Sequence, residues 1–491
     1  MPEPTIYELS SDGRTGVLFP EPDVPLAEFP RDLLREDLPF PELAEVDVIR
    51  HFTKLSTFNY SIDKGLYPLG SCTMKYNPKI NELTARLPGF AGTHPLQPSV
   101  TVQGNLALMF NLQEFLKEIS GFDAVTLQPA AGAQGEFTGV SIIRAYHHSR
   151  NDTKRTRIII PDSAHGTNPA TSSMNDFETV GVKSDARGNV DLDDLRSLCD
   201  ETTAGLMLTN PNTLGLFDEH VLEVVKIVHE AGGLVYGDGA NLNALLGIVR
   251  PGDLGFDIMH FNLHKTFSTP HGGGGPGSGP VGVTQALADF LPSPIVAIVE
   301  EGTEEEAPLY GLVKPARSIG RVKSFYGQFG MLVRAFTYIR MHGPDGLRKV
   351  SEYAVLNANY LMKEVKKSYR LPYDRTCMHE FVVEGVWPEL PDIHALDVAK
   401  RLMDYDYHPP TNYFPLIVHE ALMIEPTETE SMQTLDQFAE TLARIAEEAH
   451  TRPELLHGAP HNAPVGRLDE VKAAKDLVLC CWIPESEDKL L

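Results

Sequence analysis

Cysteine and long apolar runs are scarce in this 491-residue chain, and each scarcity excludes a class of protein. The five cysteines are odd in number and show no metal-ligand spacing, so we expect reduced thiols, no disulfide framework and no metal site. No stretch approaches the roughly 18 uninterrupted apolar residues of a membrane-spanning helix. The N-terminus also lacks a basic segment followed by an apolar one. These absences predict a cytoplasmic protein that does not enter a membrane.

Basic residues are outnumbered as well. The 42 lysines and arginines stand against 67 aspartates and glutamates, which gives a formal net charge of −25. No basic cluster is concentrated enough to overcome that charge at a polyanion, so nucleic acid and anionic membranes are excluded as partners. What the chain does have is length and a hydrophobic content of 42%, which suffice for a proper core and for more than one domain.

Three regions differ in their sequence pattern. Residues 1–100 are rich in proline and contain few long periodic segments, so we expect an extended arm that wraps around another body or a partner subunit. Residues 101–343 alternate apolar strands with helices and are predicted to form a large domain. Residues 344–491 are predicted to form a smaller α+β domain with a polar tail. Its predicted elements are helices at 347–368, 396–403 and 435–450, a strand at 380–383 and an apolar run at 477–480.

The large region has the pattern of an α/β fold. Apolar residues recur at helical spacing from 103 to 119, and Gly121 then closes this helix. Near-continuous apolar strands follow with helices between them, which indicates a mostly parallel sheet covered by helices on both faces. The predicted strands lie at 124–127, 157–160, 205–208, 233–236, 257–261 and 280–283, with helices at 134–148 and 219–231. In such sheets ligands bind at the carboxyl ends of the strands.

One lysine and one aspartate follow neighbouring predicted strands. Lys265 lies just past the strand at 257–261 and before the glycine-rich run at 271–280, and Asp238 ends the preceding strand. Pyridoxal phosphate chemistry needs such a pair. The lysine binds the aldehyde as a Schiff base, and the aspartate keeps the pyridine nitrogen protonated. For Lys265 taken alone, the alternative is a solvated surface charge.

Further motifs follow other strands. The glycine-rich run 128–136 starts a helix whose backbone N–H groups favour a phosphate, although an ordinary turn has the same composition. His165 lies between small residues and is free to stack on a planar ring, or else to hydrogen-bond its own loop. A short polar side chain, Asn212 or Thr213, could bond the phenolic oxygen of the cofactor, with a simple turn as the alternative.

The N-terminal region contributes one compact polar loop, formed by Ser71, Cys72 and Thr73. Small polar side chains on such a loop could form part of a substrate pocket. No neighbouring residue in the sequence would lower the pKa of the Cys72 thiol, so a nucleophilic role is not indicated.

Taken together and in chain order, these motifs resemble a known family. The segments PAAGAQGE, SAHGTNPA, TNPNTLG, GDGANLNA, NLHKTF and HGGGGPG are similar to those of the glycine cleavage system P-protein, the pyridoxal-phosphate-dependent glycine decarboxylase. The chain resembles in particular the second subunit of the two-subunit form, which carries the cofactor lysine. The resemblance runs from about Lys64 to the C-terminal region and implies an aspartate-aminotransferase-like fold (pyridoxal-phosphate fold type I).

The resemblance also implies roles for individual residues. Lys265 would hold pyridoxal 5'-phosphate covalently, His165 would stack on its ring and Asp238 would pair with the pyridinium nitrogen, and these three are the expected catalytic residues. The other residues expected at the cofactor are Ala133 and Gln134 at the phosphate, together with Asn212, Thr213 and His264. The loop of Ser71, Cys72 and Thr73 resembles one near the glycine site.

In the family, glycine loses its carboxylate as CO2, and the remaining aminomethyl group is transferred to the lipoyl group of H-protein. The implied partners are P-protein subunit 1, in an α2β2 heterotetramer, lipoylated H-protein and glycine. Two alternatives stay open. An aminotransferase or another decarboxylase would keep the fold and cofactor, and Arg317, Arg321 or Arg375 could clamp a second substrate carboxylate. A non-catalytic partner would have lost the cofactor, which the joint presence of the lysine, aspartate and histidine argues against.

Replacing Lys265 tests the covalent link. The purified wild-type chain is expected to show the visible absorbance band of a lysine-bound pyridoxal, and Lys265→Ala should lose that band because no other amine replaces the ε-amino group. Absorbance spectra of both proteins check this. A wild-type protein without the band would contradict the cofactor prediction.

Overall fold

The computed structural model of the protein describes residues 3–35, 38, 40–272, 275–477 and 479. Contacts within the chain divide it into two compact units, the described residues of 1–61 with 458–491, and those of 62–457. The domain boundaries at 101 and 344 stay a prediction. No described helix is long and apolar enough to cross a membrane, and the cytoplasmic location stays a prediction.

The strands of the described residues all lie in the second unit, whereas helices lie in both units. The helices are α1 (Glu45–Phe58), α2 (Lys79–Ala85), α3 (Pro88–Ala91), α4 (Gln103–Ser120), α5 (Gly132–Ser149), α6 (Thr167–Met174), α7 (Leu192–Leu198), α8 (Val221–Glu230), α9 (Leu263–Thr266), α10 (Phe329–Val365), α11 (Ala395–Asp404), α12 (Met432–Thr451), α13 (Glu454–His457) and α14 (Glu470–Lys475). The strands are β1 (Ala124–Thr126), β2 (Arg157–Pro161), β3 (Glu178–Val182), β4 (Thr203–Thr209), β5 (Leu234–Gly239), β6 (Ile258–Phe261), β7 (Val281–Val283), β8 (Ile295–Glu300), β9 (Leu309–Val313), β10 (Phe381–Glu384), β11 (Thr411–Asn412) and β12 (Ala421–Ile424).

A seven-stranded sheet in the order β1-β7-β6-β5-β4-β2-β3 lies at the centre of the second unit. Its strands pair in parallel from β3 through β6, whereas β7 runs antiparallel to both β6 and β1. The predicted mostly parallel sheet is therefore confirmed. Because β2, β4, β5 and β6 run in one direction, the loops that follow them meet at one edge of the sheet.

Two buried apolar clusters cover the faces of this sheet, because side chains alternate along each strand. On one face, Ile159, Leu206 and Val235 pack with residues of α4, α8 and the first half of α10. On the other face, Ile158 and Met207 pack with residues of α5. Helices therefore lie on both faces, as predicted.

The C-terminal part of the second unit has its own sheet and core. Strands β10, β12 and β11 form an antiparallel sheet in that order. Residues of α10, α11 and α12 pack on it in a separate apolar cluster. The α10 helix is interrupted at Gly343, where φ is 61° and ψ is −176°, and Pro344 follows at the start of the second segment. The smaller α+β region is thus confirmed.

The first unit contains α1 and α14. The sequence analysis missed α1, which lies within the predicted extended arm. Apolar residues recur along it at helical spacing, at Val46, Ile49, Phe52, Leu55 and Phe58, so the pattern was present in the sequence, although only His51 of this helix is buried. The apolar run predicted at 477–480 lies partly outside the described residues, as do Gly273 and Gly274 of the glycine-rich run.

Glycines on α5 allow this helix to approach the sheet closely. A Cβ atom at Gly135 would lie 2.7 Å from Cβ of His260, and one at Gly139 would lie 2.3 Å from Cε2 of Tyr236. Both neighbours are fully buried side chains of the central strands. The helix therefore fixes the position of two aromatic side chains beneath the edge at which the strand-end motifs meet.

Gly139→Ala tests this close packing. The added methyl group has no room beside the Tyr236 ring, so we expect the free energy of unfolding to fall by about 1–3 kcal/mol, as for other overpacked cores. Gly104→Ala in α4 is the matched control, because a Cβ there meets open space. Urea denaturation of both variants checks the difference, and equal stabilities would contradict the packing.

Candidate active site

A cavity of about 490 Å³ lies where the strand-end loops meet. The predicted site residues that line it are Ser71, Cys72, Ala133, His165, Thr213, Asp238, His264 and Lys265. The predicted residues Gln134, Asn212 and Thr73 are outside this lining. The structure therefore brings most of the predicted site residues together from the N-terminal loop and from the ends of five strands, β1, β2, β4, β5 and β6.

Asp238 is the buried acid of the cavity. It ends β5, and its Oδ1 atom accepts the N–H of Ala240 at 3.0 Å and lies 3.4 Å from Nε2 of His260. Burial alone would raise the pKa of Asp238, but His260, Lys265 and the Ala240 N–H outweigh it and hold that pKa below its usual value. Asp238 is thus an ionised acceptor inside the protein.

His260 is held from both sides of its ring. The Tyr236 hydroxyl lies 2.6 Å from Nδ1, and Nε2 lies 2.7 Å from the amide oxygen of Asn262. Because the Asn262 oxygen can only accept, Nε2 carries the proton and Nδ1 accepts from Tyr236. Burial lowers the pKa of His260, so the imidazole beside Asp238 is neutral, and its one N–H is directed to Asn262.

Lys265 lies in the short helix α9, directly after β6. Within the described residues, its ammonium group has no hydrogen-bond or ion-pair partner, although it lines the cavity. Two neighbouring imidazoles are neutral: burial, with the lysine charge, lowers the pKa of His264 to about 3 and that of His271 to about 4. The amine is therefore available for a ligand in the cavity.

A buried lysine fixes the end of the same helix. Lys75 is only 2% exposed, and its Nζ atom donates to the Thr266 carbonyl at 2.9 Å and to the Asn243 amide oxygen at 2.8 Å. It also pairs with Glu428 at 2.7 Å. A buried charge requires such partners. The bond from Lys75 to the Thr266 carbonyl therefore holds the C-terminus of α9 against the segment that follows the Ser71–Thr73 loop.

The glycine-rich run forms the start of α5, as predicted. Ala131 precedes the helix, and the N–H groups of its first turn have no carbonyl four residues back, so they can bind an anion. The Gln134 side chain is not directed at the anion site. Its oxygen accepts the Ala130 N–H at 2.7 Å, and its amide donates to the Val322 carbonyl at 2.6 Å. Only the main chain of Gln134 is left for a phosphate.

His165 is joined to a buried carboxyl group through Thr167. Its Nδ1 atom lies 2.8 Å from the Thr167 hydroxyl oxygen, and this hydroxyl donates to Oε1 of Glu136 at 2.8 Å. Burial, followed by the charge of Asp238, raises the pKa of Glu136 to about 8. Burial also lowers the pKa of His165. A neutral imidazole and a neutral carboxyl group therefore face the same cavity.

The two residues predicted at a phenolic oxygen differ in their surroundings. Asn212 is committed to its own loop: its amide donates to the Gly188 carbonyl at 2.8 Å, and its oxygen accepts the N–H of Leu214 at 3.0 Å. Thr213 lines the cavity, and its hydroxyl donates to the Ser163 carbonyl. The geometry leaves Thr213 as the one of the two that faces the cavity.

The N-terminal loop closes one side of the cavity and rests on two buried carboxylates. The Ser71 N–H donates to Glu380 at 2.6 Å, and the Thr73 N–H donates to Glu425 at 2.8 Å. Both glutamates are fully buried, as is His379. One donor atom from each of these three residues lies within 4.8 Å of the others, a spacing that could also hold a metal ion.

Sequence reasoning missed several residues of the site. Glu136 carried a signal, because it is one helical turn beyond Gly132 in a motif already assigned to a ligand. His260 carried another, as a polar residue inside a buried apolar strand. Glu380 and Glu425 flank buried strands, but no local pattern shows that both meet a loop near residue 72.

Solved structures with the same architecture define the class. A crystal structure of glycine decarboxylase (P-protein) of the glycine cleavage system, in inhibitor-bound form, matches with a TM-score of 0.71 and 21% identity, over 85% of this chain and 93% of that one. A Lactobacillus brevis glutamate decarboxylase matches with a TM-score of 0.63 and 14% identity, over 87% and 95%. The protein has the aspartate-aminotransferase-like fold of fold-type I pyridoxal-phosphate enzymes.

Sequence relatives define the family. A protein named "Probable glycine dehydrogenase (decarboxylating) subunit 2" from Caldanaerobacter subterraneus subsp. tengcongensis is 58% identical over 480 residues, 96% of this chain and 98% of the relative. A relative of the same name from Halalkalibacterium halodurans is 58% identical over 479 residues, 96% and 97%. The family described as "Glycine dehydrogenase, C-terminal domain" matches residues 350–461. The chain belongs to the glycine dehydrogenase (decarboxylating) subunit 2 family.

Glu136→Gln tests the proton on the buried carboxyl group. In the folded protein the pKa of Glu136 is raised from the ordinary 4.5 to about 8. Between these two pH values the folded state binds a proton that the unfolded state has lost, so the free energy of unfolding falls as the pH rises. The variant should lose this contribution and show a flatter decline, measured by urea denaturation across the same pH range.

The control residue, Glu82, changes the free energy of unfolding with pH in the opposite direction. A side-chain hydrogen bond from Arg334 lowers the pKa of Glu82, so Glu82→Gln should remove stability that is present above the unfolded pKa and lost at acid pH. A Glu136→Gln profile parallel to that of the wild type would show that this group titrates normally.

Proposed function

We propose that this chain is the cofactor-bearing subunit of a glycine dehydrogenase (decarboxylating) and that it catalyses the pyridoxal-phosphate-dependent decarboxylation of glycine. The observation that carries the proposal is the convergence of Lys265, Asp238 and His165 on one cavity from three different strand ends. Family membership supports the choice of substrate. The catalytic residues are Lys265, Asp238 and His165.

The cavity has the chemistry to hold pyridoxal 5'-phosphate. Lys265 offers an amine without a partner among the described residues, and Asp238 offers a buried ionised carboxylate. The first-turn amides of α5, at Ala133 and Gln134, can bind a phosphate. A Cβ atom at Gly132 would lie 2.7 Å from Nδ2 of Asn262, so only a residue without a side chain fits between α5 and this wall of the cavity.

These residues would hold the cofactor in the following way. Lys265 would bind it covalently, the α5 amides would bind its phosphate, and Asp238 would pair with its ring nitrogen. His165 would stack on the ring, and Thr213 and His264 would complete the wall. When bound, pyridoxal phosphate supplies a cationic ring that takes up the electron pair left when a carboxylate departs as CO2.

The protein residues supply the electrostatics for this chemistry. Asp238 favours a proton on the ring nitrogen because its own charge is buried and held ionised. His260, neutral and fixed by its hydrogen bonds to Tyr236 and Asn262, lies beside this carboxylate, with Nε2 3.4 Å from Oδ1 of Asp238. Because burial lowers the pKa of His165, its imidazole is neutral and adds no positive charge that would repel a protonated ring nitrogen.

The proposal extends to the fate of the aminomethyl group and to the partners. The aminomethyl group is transferred to the lipoyl group of H-protein, and the chain works with P-protein subunit 1 in an α2β2 heterotetramer. The name "subunit 2" of the relatives supports a partner subunit. We infer that the isolated chain has little activity, because subunit 1 completes the enzyme.

An aminotransferase acting on dicarboxylic substrates is less well supported. None of the arginines considered from the sequence lines the cavity in the described part of the chain. Arg375 donates to the Arg187 and Phe217 carbonyls, Arg317 lies over the Phe290 ring, and Arg321 donates to the Ser324 carbonyl. A second substrate carboxylate would therefore have no arginine clamp among the described residues that line the cavity.

Isotope exchange tests the proposed reaction. With subunit 1 and lipoylated H-protein present, the chain is expected to exchange labelled bicarbonate into the carboxyl group of glycine, because decarboxylation is reversible on the enzyme. Omitting subunit 1 is the control and should remove most of the exchange. No exchange in the complete mixture, with cofactor bound, would refute glycine decarboxylation.

Asp238→Asn tests the electrostatic role of the buried acid. The variant should keep the cofactor, since the lysine and the phosphate site are unchanged, but exchange should fall by about 100-fold or more because the ring nitrogen loses its anionic partner. The cofactor absorbance band and the exchange rate are measured on the same preparation. Near-normal exchange would exclude this role.

A further inference from the structure

The loop of Ser71, Cys72 and Thr73 has an unfavourable backbone. Ser71 has φ 62° and Thr73 has φ 46°, both in the left-handed region that non-glycine residues avoid. Threonine is β-branched, so this conformation is especially costly for Thr73. Such a backbone persists only where surrounding contacts determine it.

Two buried glutamates supply these contacts. Glu380, just before β10, accepts the Ser71 N–H through Oε2 at 2.6 Å. Glu425, just after β12, accepts the Thr73 N–H through Oε2 at 2.8 Å and the Thr73 hydroxyl through Oε1 at 2.6 Å. The amides on either side of Cys72 are therefore both fixed to carboxylates that are 0% exposed.

The surrounding chain reinforces this arrangement. The Thr411 hydroxyl donates to the Gly70 carbonyl at 2.9 Å, and the Glu425 N–H donates to the Pro68 carbonyl at 3.2 Å. A Cβ atom at Gly70 would lie 2.2 Å from Met423, so the loop lies directly against β12. The loop is built into the smaller sheet and faces Lys265 from it.

The glutamates do not form a simple ion pair or a hydrogen-bonded dyad with a histidine. Nε2 of His379 lies 3.8 Å from Glu380 and 3.9 Å from Glu425, beyond hydrogen-bonding distance, and neither ring nitrogen has a partner among the described residues. Burial raises the pKa of both carboxyl groups, that of Glu425 to about 7. Burying these two acidic groups is unfavourable for folding unless they are hydrogen-bonded, and their main hydrogen-bond donors are the Ser71 and Thr73 groups of the loop.

We propose that Glu380 and Glu425 are positioning residues, which hold the Ser71–Thr73 loop in its left-handed conformation so that Ser71 and Cys72 form the wall of the glycine site beside Lys265. The assignment of this wall to glycine rests on the proposed function. The hydrogen bonds that hold the loop do not depend on it. Neither glutamate contacts Asp238 or the first turn of α5 directly in the described structure, although both interact electrostatically with Lys265.

The reactivity of Cys72 reports the position of the loop without catalysis. Burial, assisted by both glutamates, raises the pKa of the Cys72 thiol to about 11, so iodoacetamide should label it slowly at neutral pH. Release of the loop into solvent would return the thiol to its ordinary range and increase labelling about tenfold or more. Peptide mass spectrometry distinguishes Cys72 from the other cysteines.

Glu425→Gln and Thr73→Val test the proposal. The glutamine can accept only one of the two Thr73 donors, and the valine removes the hydroxyl while keeping the shape. Each variant should label Cys72 about tenfold faster and raise the KM for glycine about tenfold in the reconstituted complex, with kcat and the cofactor band changed less. The double variant should fall short of the sum of the two single effects, because both changes act on the same contact between residues 73 and 425.

Two further variants make the test specific. Glu380→Gln keeps an acceptor for the Ser71 N–H and should have a smaller effect than Glu425→Gln. Glu430→Gln is the matched control: burial raises the pKa of Glu430 to about 7 as well, but it makes no contact with the loop in the described structure, so labelling should not change. Thermal midpoints confirm that each variant is folded.

The outcomes separate the two proposals. Unchanged labelling and KM in folded Glu425→Gln and Thr73→Val would overturn the positioning role. A stoichiometric divalent ion in the purified chain, whose removal releases Cys72 equally, would also overturn it, because the carboxylates would then belong to a metal site. Faster labelling in a protein whose wild type shows no glycine exchange would refute only the proposed function and leave the loop assignment intact.

Discussion

The buried carboxylate of Asp238 is the constraint on which the rest of the site depends. A charge at the end of a central strand needs donors, and the Ala240 N–H provides one, while Tyr236 and Asn262 fix the His260 ring beside it. The same charge helps to keep Glu136 protonated. The close approach of α5 at Gly135 holds His260 in place. The same few side chains beneath the strand ends therefore determine both the packing of the sheet and the charge distribution in the cavity.

Much of the fold could be predicted, because its signals are local. Apolar strands, helix periodicity and Gly121 as a helix end are read from neighbouring residues, and parallel pairing then brings the strand ends together. Lys265, Asp238 and His165 were predicted at one edge of the sheet in this way, and all three line the cavity. By contrast, α1 was missed although its apolar residues recur at helical spacing, because the many prolines of the N-terminal region favoured an extended arm.

The details of the site depend on contacts that no local pattern encodes. The run 128–136 identified a helix start, but not that the Gln134 side chain would bond to Val322, nearly 200 residues away. The polar turn at Asn212 and Thr213 did not reveal which of the two faces the cavity. Lys75 reads as an ordinary surface lysine in the sequence, yet it is buried against α9. These partners are distant in sequence, and only the fold brings them together.

The contact between Thr73 and Glu425 spans 352 residues, and that between Lys75 and Glu428 spans 353. Contacts of such separation form only after most of the chain is available. Glu425 and Glu428 follow every strand of the large sheet in the sequence. The wall formed by Ser71 and Cys72 therefore lies early in the chain, whereas its fixed position depends on residues that are synthesised late.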